Sequence, residues 1–284
     1  MKTRPFGSTG IHVPVIGQGT WYLDESPRAV DALRAGIEAG MTHIDTAEMY
    51  GSGAAERAVG AAIAGQRERT FVVSKVLPHN ADRSGTVAAC ERSLRHLGTD
   101  YIDCYLLHWP GSHPLEETFA AFDELKKHGK IRSYGVSNFD VDDLEELTRI
   151  ISPDDIACNQ VLYHPSERTI ENRVLPWCAA HGIAVVAYSP FGHGALHAPG
   201  STAKKNKGDT VLAQIAQAHG VSVFQVALAF VTRMPNLFAI PKAASLAHLN
   251  DNAAADELAL SANEMKRLEE TLPTTASSTR LPML

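Results

Sequence analysis

The chain has few cysteines, and their spacing indicates neither a metal site nor a redox pair. Its 284 residues include Cys90, Cys104, Cys158 and Cys178, without CxxC or zinc-finger spacing. Three of the four lie in apolar runs typical of strands or helices, so we expect buried free thiols. The histidine pairs in HWPGSH and HGALH have no carboxylate or cysteine at ligand spacing, and we therefore predict no metal site.

Long apolar runs and an excess of basic charge are also missing. No run reaches the roughly 18 apolar residues of a membrane-spanning helix, and the first residues, MKTRPFGSTG, have no signal-peptide core. The formal net charge is -6 and the basic residues are scattered, which argues against a nucleic-acid partner. We expect a monomeric cytoplasmic protein that binds neither membranes nor nucleic acid.

What the chain does have is enough apolar sequence for one large core. Hydrophobic residues make up 44% of the chain and charged residues 20%, which is ordinary for a globular protein. Because α/β barrels of about 250 residues form a single unit, we predict one domain over residues 1–284.

Strand-like and helix-like segments alternate along almost the whole sequence. After an N-terminal hairpin around Gly7 to Gly10, eight apolar strands are each followed by a helical pattern. The predicted strands are VIGQG, THID, TFVVSK, YIDCYLLH, IRSYGVSN, DIACNQ, IAVVAYS and LFAI. Such alternation predicts a closed (β/α)₈ barrel, the TIM barrel, here with an N-terminal β-hairpin and extra C-terminal helices. An open doubly wound sheet would favour GxGxxG after its first strand, where only Gly17-Gln18-Gly19 occurs.

The residues that end the predicted strands are unusually polar, and a barrel brings them to one mouth. They are Gly19, Thr20, Trp21, Asp45, Lys75, His108, Trp109, Ser137, Asn138, Asn159, Gln160, Tyr188, Ser189 and Lys242. Any single one is typically just a residue at a solvated loop. Charged or titratable residues at the ends of three consecutive strands, however, indicate an active site.

Asp45, Lys75 and His108 predict an acid–base site together with Tyr50, which follows the second strand. A buried ammonium and carboxylate stabilise each other as a pair. We expect the ammonium to lower the pKa of the Tyr50 phenol and make it a proton donor. His108 would donate a hydrogen bond to a substrate oxygen.

Further strand ends predict a nicotinamide dinucleotide as the second reactant. Ser137, Asn138 and Gln160 offer hydroxyl and amide groups that suit a carboxamide. Tyr188 offers a flat aromatic face, and Lys242 a cation for a phosphate. Such a cofactor carries the hydride that a tyrosine acid would complement.

These motifs resemble those of the aldo-keto reductase family over essentially the whole chain. The resemblance lies in HIDTAEMYG, VVSK and LLHWP, which hold the Asp, Tyr, Lys and His of the family's tetrad, and in YGVSNF, NQ and AYSPFG. It implies reduction of an aldehyde or ketone to an alcohol by NADPH, with the proton from Tyr50. The implied catalytic residues are Asp45, Tyr50, Lys75 and His108. The implied cofactor-binding residues are Gly19, Thr20, Trp21, Asp45, Ser137, Asn138, Gln160, Tyr188, Ser189, Pro190, Phe191, Gly192, Ile240, Lys242, Ala243, Ser245, His248, Asp251 and Asn252. The implied substrate pocket consists of Trp21, Tyr22, Tyr50, His108 and Trp109.

The chain departs from the family pattern in the segment for the cofactor tail. It reads IPKAASLAHLNDN, with Ala243 in place of a serine and His248 in place of an arginine that grips the 2′-phosphate. An imidazole is not permanently charged as a guanidinium is, so we expect weaker binding of the 2′-phosphate. The expected cofactor is therefore NADPH, with some secondary use of NADH. The loop after His108 and the C-terminal tail are short, which predicts an open pocket for small or varied carbonyls.

Two other functions and one loop stay open at this level. Lys75 could serve as the covalent nucleophile of a Schiff-base lyase, although its aspartate neighbour would keep it protonated. The fold could also serve as a cofactor-sensing regulatory subunit. The lysine-rich segment within residues 190–208 is either a solvated loop or a flap over the cofactor's pyrophosphate.

Overall fold

A small antiparallel hairpin precedes the main sheet and covers one end of it. The computed structural model describes residues 1–192, 196, 207–272 and 281–284. Strands β1 (Thr3–Pro5) and β2 (His12–Pro14) pair antiparallel around a short 3-10 helix, Gly7–Thr9, as the sequence predicts. Phe6 follows β1 and is fully buried against the rings of Phe71 and Phe238. The hairpin therefore plugs the end of the barrel opposite the strand ends described above.

Eight parallel strands form the main sheet in chain order. They are β3 (Gln18–Gly19), β4 (His43–Asp45), β5 (Phe71–Val76), β6 (Ile102–Leu107), β7 (Ile131–Ser137), β8 (Ile156–Leu162), β9 (Ala184–Tyr188) and β10 (Leu237–Ala239). The sheet closes on itself because the Gly17 amide donates to the Ala239 carbonyl at 2.8 Å and the Gly19 amide to the Pro241 carbonyl at 3.1 Å. The predicted (β/α)₈ barrel is confirmed.

Strand β3, which closes the barrel against the segment after β10, requires glycine at its end. A Cβ on Gly19 would lie 2.5 Å from the carbonyl oxygen of Ile240, which is closer than real Cβ contacts. Glycine therefore lets the first and last strands of the barrel approach each other.

Helices connect the strands and cover their outer faces. The described helices are α1 (Pro27–Glu38), α2 (Ala54–Ile63), α3 (Arg83–Leu97), α4 (Leu115–Lys127), α5 (Val141–Leu147), α6 (Val174–Ala180), α7 (Lys207–His219), α8 (Val223–Val231), α9 (Leu246–Ala254) and α10 (Ala262–Thr271). Helix α1 begins after Ser26, whose side chain accepts a hydrogen bond from the Ala29 amide. Every residue of β5, β6 and β8 is buried because both faces of a parallel sheet are covered.

The core of the described residues has two large parts, one between sheet and helices and one inside the barrel, and a small third cluster of Ala47, Tyr50 and Ala55. The interior part includes Phe6, Val73, Leu106 and Phe238. All four cysteines are buried and free, which confirms that prediction. Within the described ranges, no single helix is long and apolar enough to cross a membrane; α7 and α8 meet the length and composition criteria only as a pair, bent by 107°.

Candidate active site

The carboxyl ends of the barrel strands surround a cavity of about 650 Å³, which is within the usual range for ligand sites. Seventeen of the residues named from the sequence line it: Gly19, Thr20, Trp21, Tyr22, Asp45, Tyr50, His108, Trp109, Ser137, Asn138, Gln160, Tyr188, Ser189, Pro190, Phe191, Ile240 and Lys242. The barrel thus brings together residues from almost every strand end.

Lys75 lies fully buried beneath this cavity and uses all three of its N–H donors. Its Nζ donates to Asp45 Oδ2 at 2.8 Å, to the Thr46 carbonyl at 2.9 Å and to Tyr50 Oη at 3.2 Å. The other oxygen of Asp45 accepts from Gln160 Nε2 at 2.7 Å. Asp45 and Lys75 form a buried ion pair whose remaining polar groups are hydrogen-bonded, which is the condition for such a pair to be stable.

This arrangement leaves the hydroxyl proton of Tyr50 free for a ligand. Because its oxygen accepts from Lys75, the phenol has its own O–H to donate elsewhere. Tyr50 lines the cavity and is only 9% exposed, with its ring 5.8 Å from that of His108. A ligand oxygen in the cavity therefore meets a phenol donor and an imidazole together.

The net direction of the Tyr50 pKa differs from the expectation. Burial raises the pKa of Tyr50, and this outweighs the opposite effect of the Lys75 ammonium. The expectation of a lowered pKa is therefore wrong, because sequence shows the neighbouring charge but not the loss of water around the phenol. Tyr50 accordingly holds its proton throughout the physiological pH range. Lys75 still favours the phenolate that would remain after proton transfer.

The two neighbours of Tyr50 are held in different charge states, Lys75 as a cation and His108 as a neutral ring. Burial tends to lower the pKa of Lys75, but Asp45 reverses this and the net pKa is raised, so the amine stays an ammonium. Burial and then Lys75 hold the pKa of His108 well below its usual value. A neutral imidazole has a single N–H, so His108 can donate one hydrogen bond and carries no charge of its own.

One wall of the cavity consists of amide and hydroxyl groups in a fixed network. Ser137 Oγ donates to the Gln160 carbonyl at 2.8 Å, and Asn138 Nδ2 to the His108 carbonyl at 3.0 Å. The Tyr188 hydroxyl donates to Asn138 Oδ1 at 3.0 Å, and burial raises the pKa of Tyr188 to about 12. These side chains are preorganised before any ligand binds.

Backbone strain is concentrated around the same mouth. Among the described residues, the non-glycine positions with positive φ are Tyr22, Ser52, Asn138 and Ser189. They follow β3, β4, β7 and β9, and all except Ser52 line the cavity. Such conformations cost about 1–3 kcal/mol each and cluster at functional sites, where the surrounding structure holds them.

Six residues named for the cofactor do not line the cavity: Gly192, Ala243, Ser245, His248, Asp251 and Asn252. Ser245 caps α9 by accepting from the His248 amide, and the His248 side chain is exposed on the first turn. Asp251 accepts from the Ser222 hydroxyl at 2.7 Å, and Asn252 is buried. Their contact with a cofactor stays a prediction. Most of the predicted flap, including Lys204 and Lys205, lies outside the described residues.

Sequence reasoning missed three residues that line the cavity. Met49 precedes Tyr50 in a motif already singled out, so its position was a usable signal. Met283 and Leu284 come from the tail, and nothing in their sequence pattern indicates that it returns to the mouth.

Comparisons with known proteins agree with this geometry. The aldo/keto reductase family matches residues 15–273. Methylglyoxal reductase YeaE of Escherichia coli (strain K12) is 47% identical over 98% of this chain and 97% of its own length. Glyoxal reductase of Bacillus subtilis (strain 168) is 35% identical over 92% of this chain and 89% of its own.

A solved structure shares the fold closely. An aldo/keto reductase from Klebsiella pneumoniae, crystallised with NADP and acetate, is 46% identical with a TM-score of 0.92, covering 100% of this chain and 99% of that one. The resemblance seen in HIDTAEMYG, VVSK and LLHWP is thereby confirmed. The chain belongs to the aldo/keto reductase family.

Proposed function

We propose that the protein is an NADPH-dependent carbonyl reductase that converts aldehydes or ketones to alcohols, with Tyr50 as the acid. The observation that carries this proposal is the contact of the Tyr50 hydroxyl with Lys75 Nζ beneath a cavity of ligand size. Asp45, Tyr50, Lys75 and His108 are the catalytic residues in this proposal.

Each of the four has a distinct task. His108 donates a hydrogen bond to the carbonyl oxygen and holds it near the phenol. Tyr50 transfers its proton to that oxygen as negative charge develops there. Lys75 stabilises the phenolate that remains, and Asp45 keeps Lys75 charged and in place.

The residues of the cavity fit a nicotinamide cofactor. Ser137, Asn138 and Gln160 present the amide and hydroxyl groups that a carboxamide requires, beside the aromatic ring of Tyr188. Lys242 supplies an exposed cation at the rim. When bound, NADPH supplies the hydride that the carbonyl carbon takes up. Two Klebsiella pneumoniae relatives crystallised with NADP and with NADPH support this choice, while His248 supports some use of NADH.

Small α-oxoaldehydes are the substrate class we propose. Relatives named methylglyoxal reductase and glyoxal reductase support it. The cavity rim is apolar at Trp21, Trp109 and Met49, which also allows larger carbonyl compounds. We further propose that the protein acts as a cytoplasmic monomer.

The Schiff-base lyase is the weaker alternative. A lyase needs a neutral amine that a carbonyl carbon can reach. Lys75 is fully buried, its pKa is raised by Asp45, and its three donors are engaged. Borohydride trapping of a carbonyl compound on Lys75 would favour the lyase. A cofactor-sensing subunit would instead bind NADPH without turnover.

Replacement of Tyr50 by phenylalanine tests the proposal. We expect Tyr50→Phe to lower kcat at least about 100-fold because the acid is lost. The Kd of NADPH, measured by quenching of protein fluorescence, should change less than about threefold because the ring remains. If the variant retains a tenth of kcat, its activation free energy has risen by only about 1.4 kcal/mol, and Tyr50 is not the acid of the reaction.

A steady-state panel decides substrate and cofactor preference. Methylglyoxal, 4-nitrobenzaldehyde and a simple ketone should each be assayed with NADPH and with NADH. We expect the highest kcat/KM for methylglyoxal with NADPH. NADPH binding without turnover of any carbonyl compound would favour the sensing subunit over the reductase.

A further inference from the structure

We propose that Glu48 is a positioning residue that holds the Tyr50 hydroxyl over Lys75, an inference that rests on the proposed function. Glu48 lies between Asp45 and Tyr50 in the loop after β4 but does not line the cavity. It acts on the reaction only through the position of Tyr50.

The Glu48 carboxylate joins the loop after β4 to the loop after β5. Its Oε1 accepts from the Leu77 backbone amide at 2.7 Å and from Asn80 Nδ2 at 3.0 Å. Its Oε2 accepts from an Arg92 guanidinium nitrogen at 3.0 Å, which ties the same loop to α3. The side chain is only 10% exposed. Hydrogen bonds to an ionised acceptor are roughly twice as strong as neutral ones.

These bonds fix the spacing between the proton donor and its cation. Glu48 is two residues from Tyr50, and Leu77 is two residues from Lys75. The backbone between them is joined more weakly, because the Glu48 amide reaches the Lys75 carbonyl only at 3.4 Å. Beyond Thr46, which bonds to β5 through its own backbone, the side chain of Glu48 is therefore the stronger link between the segments that carry Tyr50 and Lys75.

The turn that carries Tyr50 needs such a link. Gly51, Ser52 and Gly53 all have positive φ, of 58°, 52° and 88°. Ser52 in this region is strained, and strained backbone persists only where its surroundings hold it. Without an anchor before Tyr50, the turn can relax and carry the phenol away from Lys75.

An ordinary surface ion pair would not have this effect. Arg92 is 42% exposed, so its pairing with Glu48 contributes little stability by itself. The bonds of Oε1 to Leu77 and Asn80 are the ones that fix the loop. This difference predicts that a glutamine, which keeps an oxygen acceptor, retains most of the function.

The test compares Glu48→Ala with Glu48→Gln. We expect Glu48→Ala to lower kcat for methylglyoxal about 10- to 100-fold, because a misplacement of about 1 Å can cost about 100-fold. The Kd of NADPH, measured by fluorescence quenching, should stay within about threefold. Glu48→Gln should stay within about threefold of the wild-type kcat. A crystal structure of Glu48→Ala should show Tyr50 Oη beyond hydrogen-bond distance of Lys75 Nζ.

Arg83→Ala is the matched control. Arg83 lies on the same helix as Arg92 and forms an ion pair of the same length, 3.0 Å, with Glu124. It has no bond to the Tyr50 loop, so its kcat should equal that of the wild type. Were Glu48→Ala not to fold, Glu48→Asp, with a carboxylate one methylene short, would be judged by the same criteria.

The outcomes separate this inference from the proposed function. A kcat of Glu48→Ala within threefold of wild type, an equal loss in Arg83→Ala, or an unchanged distance from Tyr50 Oη to Lys75 Nζ overturns the role of Glu48. A wild-type protein that reduces no carbonyl compound overturns the proposed function instead. In that case the Tyr50–Lys75 distance in the variant crystal still decides the positioning role.

Discussion

His43 is a buried histidine in an apolar setting directly below the catalytic residues proposed above. It lies on β4, two residues before Asp45, and its ring contacts the edges of Phe6, Phe71 and Phe238. Within the described structure, both of its ring nitrogens are buried without a hydrogen-bond partner. Burial lowers the pKa of His43 to about 3, and Lys75 acts in the same direction. Folding therefore requires this imidazole to stay neutral.

The depressed pKa makes folding stability fall in acid. The unfolded chain takes up a proton at His43 below pH about 6.5, whereas the folded protein does not until about 3. Stability is thus complete above 6.5 and declines by about 1.4 kcal/mol per pH unit between these values. We expect His43→Leu to reduce that slope by this amount and to raise the unfolding free energy at pH 7 by about 1–3 kcal/mol.

Urea unfolding at several pH values between 4 and 7.5 measures both effects. His79→Leu is the control, because His79 is exposed on the short 3-10 helix Pro78–Asn80. An equal slope in wild type and His43→Leu would mean that His43 has a partner that pairs with its proton.

Glu56 connects two helices and a strand around the Tyr50 turn. It lies on the first turn of α2, fully buried. One carboxylate oxygen accepts from the Ser74 hydroxyl on β5 at 2.7 Å, and the other lies 2.9 Å from His96 Nδ1 on the last turn of α3. The ring of His96 also packs against Gly53, where a Cβ would lie 2.4 Å from it. Two helices and a strand thus depend on one carboxylate.

Removal of this carboxylate should weaken the packing of α2 on α3. We expect Glu56→Ala to lower the unfolding free energy by about 3 kcal/mol, since Ser74 loses its partner inside the core. Glu38→Ala is the comparison, because it removes the pair with Arg69, whose side chains are 54% and 64% exposed. That loss should stay below about 1 kcal/mol. Equal effects of the two substitutions in urea unfolding would contradict a structural role for Glu56.

Across the barrel, strand order and strand ends can be predicted from the sequence, and contacts distant in sequence cannot. Apolar runs ending in Asp45, Lys75 and His108 indicated both the barrel and its mouth, because parallel strands buried on both faces leave a continuous hydrophobic pattern. That pattern does not depend on partners elsewhere in the chain. Each polar strand end can therefore be predicted from the sequence of its own strand.

Contacts between segments carry no such local signal. Glu48 stands in a motif that sequence reasoning singled out, yet its partners Asn80 and Arg92 lie 32 and 44 residues away. The predicted direction of the Tyr50 pKa shift is wrong for a related reason, because burial of the phenol depends on the assembled barrel. The sequence indicates which charged groups lie near Tyr50, but it does not indicate how far the phenol loses contact with water.

The tail is a further long-range feature, and it reaches the cavity proposed as the substrate pocket. Leu281 packs against the main core, and Met283 and Leu284 line the cavity while remaining 56% and 58% exposed. Burial raises the pKa of the Tyr188 hydroxyl, and a hydrogen bond with the Leu284 backbone lowers it in part. The mouth is therefore completed by two apolar side chains that a large substrate can cover and a small one cannot.

This difference predicts a selective effect on substrate size. We expect the double variant Met283→Ala, Leu284→Ala to raise KM for 4-nitrobenzaldehyde about fivefold, because about 1 kcal/mol of apolar contact is lost. KM for methylglyoxal should change less than twofold, since it is too small to reach both side chains. Leu246→Ala is the matched control: Leu246 is 57% exposed but lies on α9, away from the cavity lining. Equal changes for both aldehydes would instead mean that the tail acts on the cofactor site or on the fold.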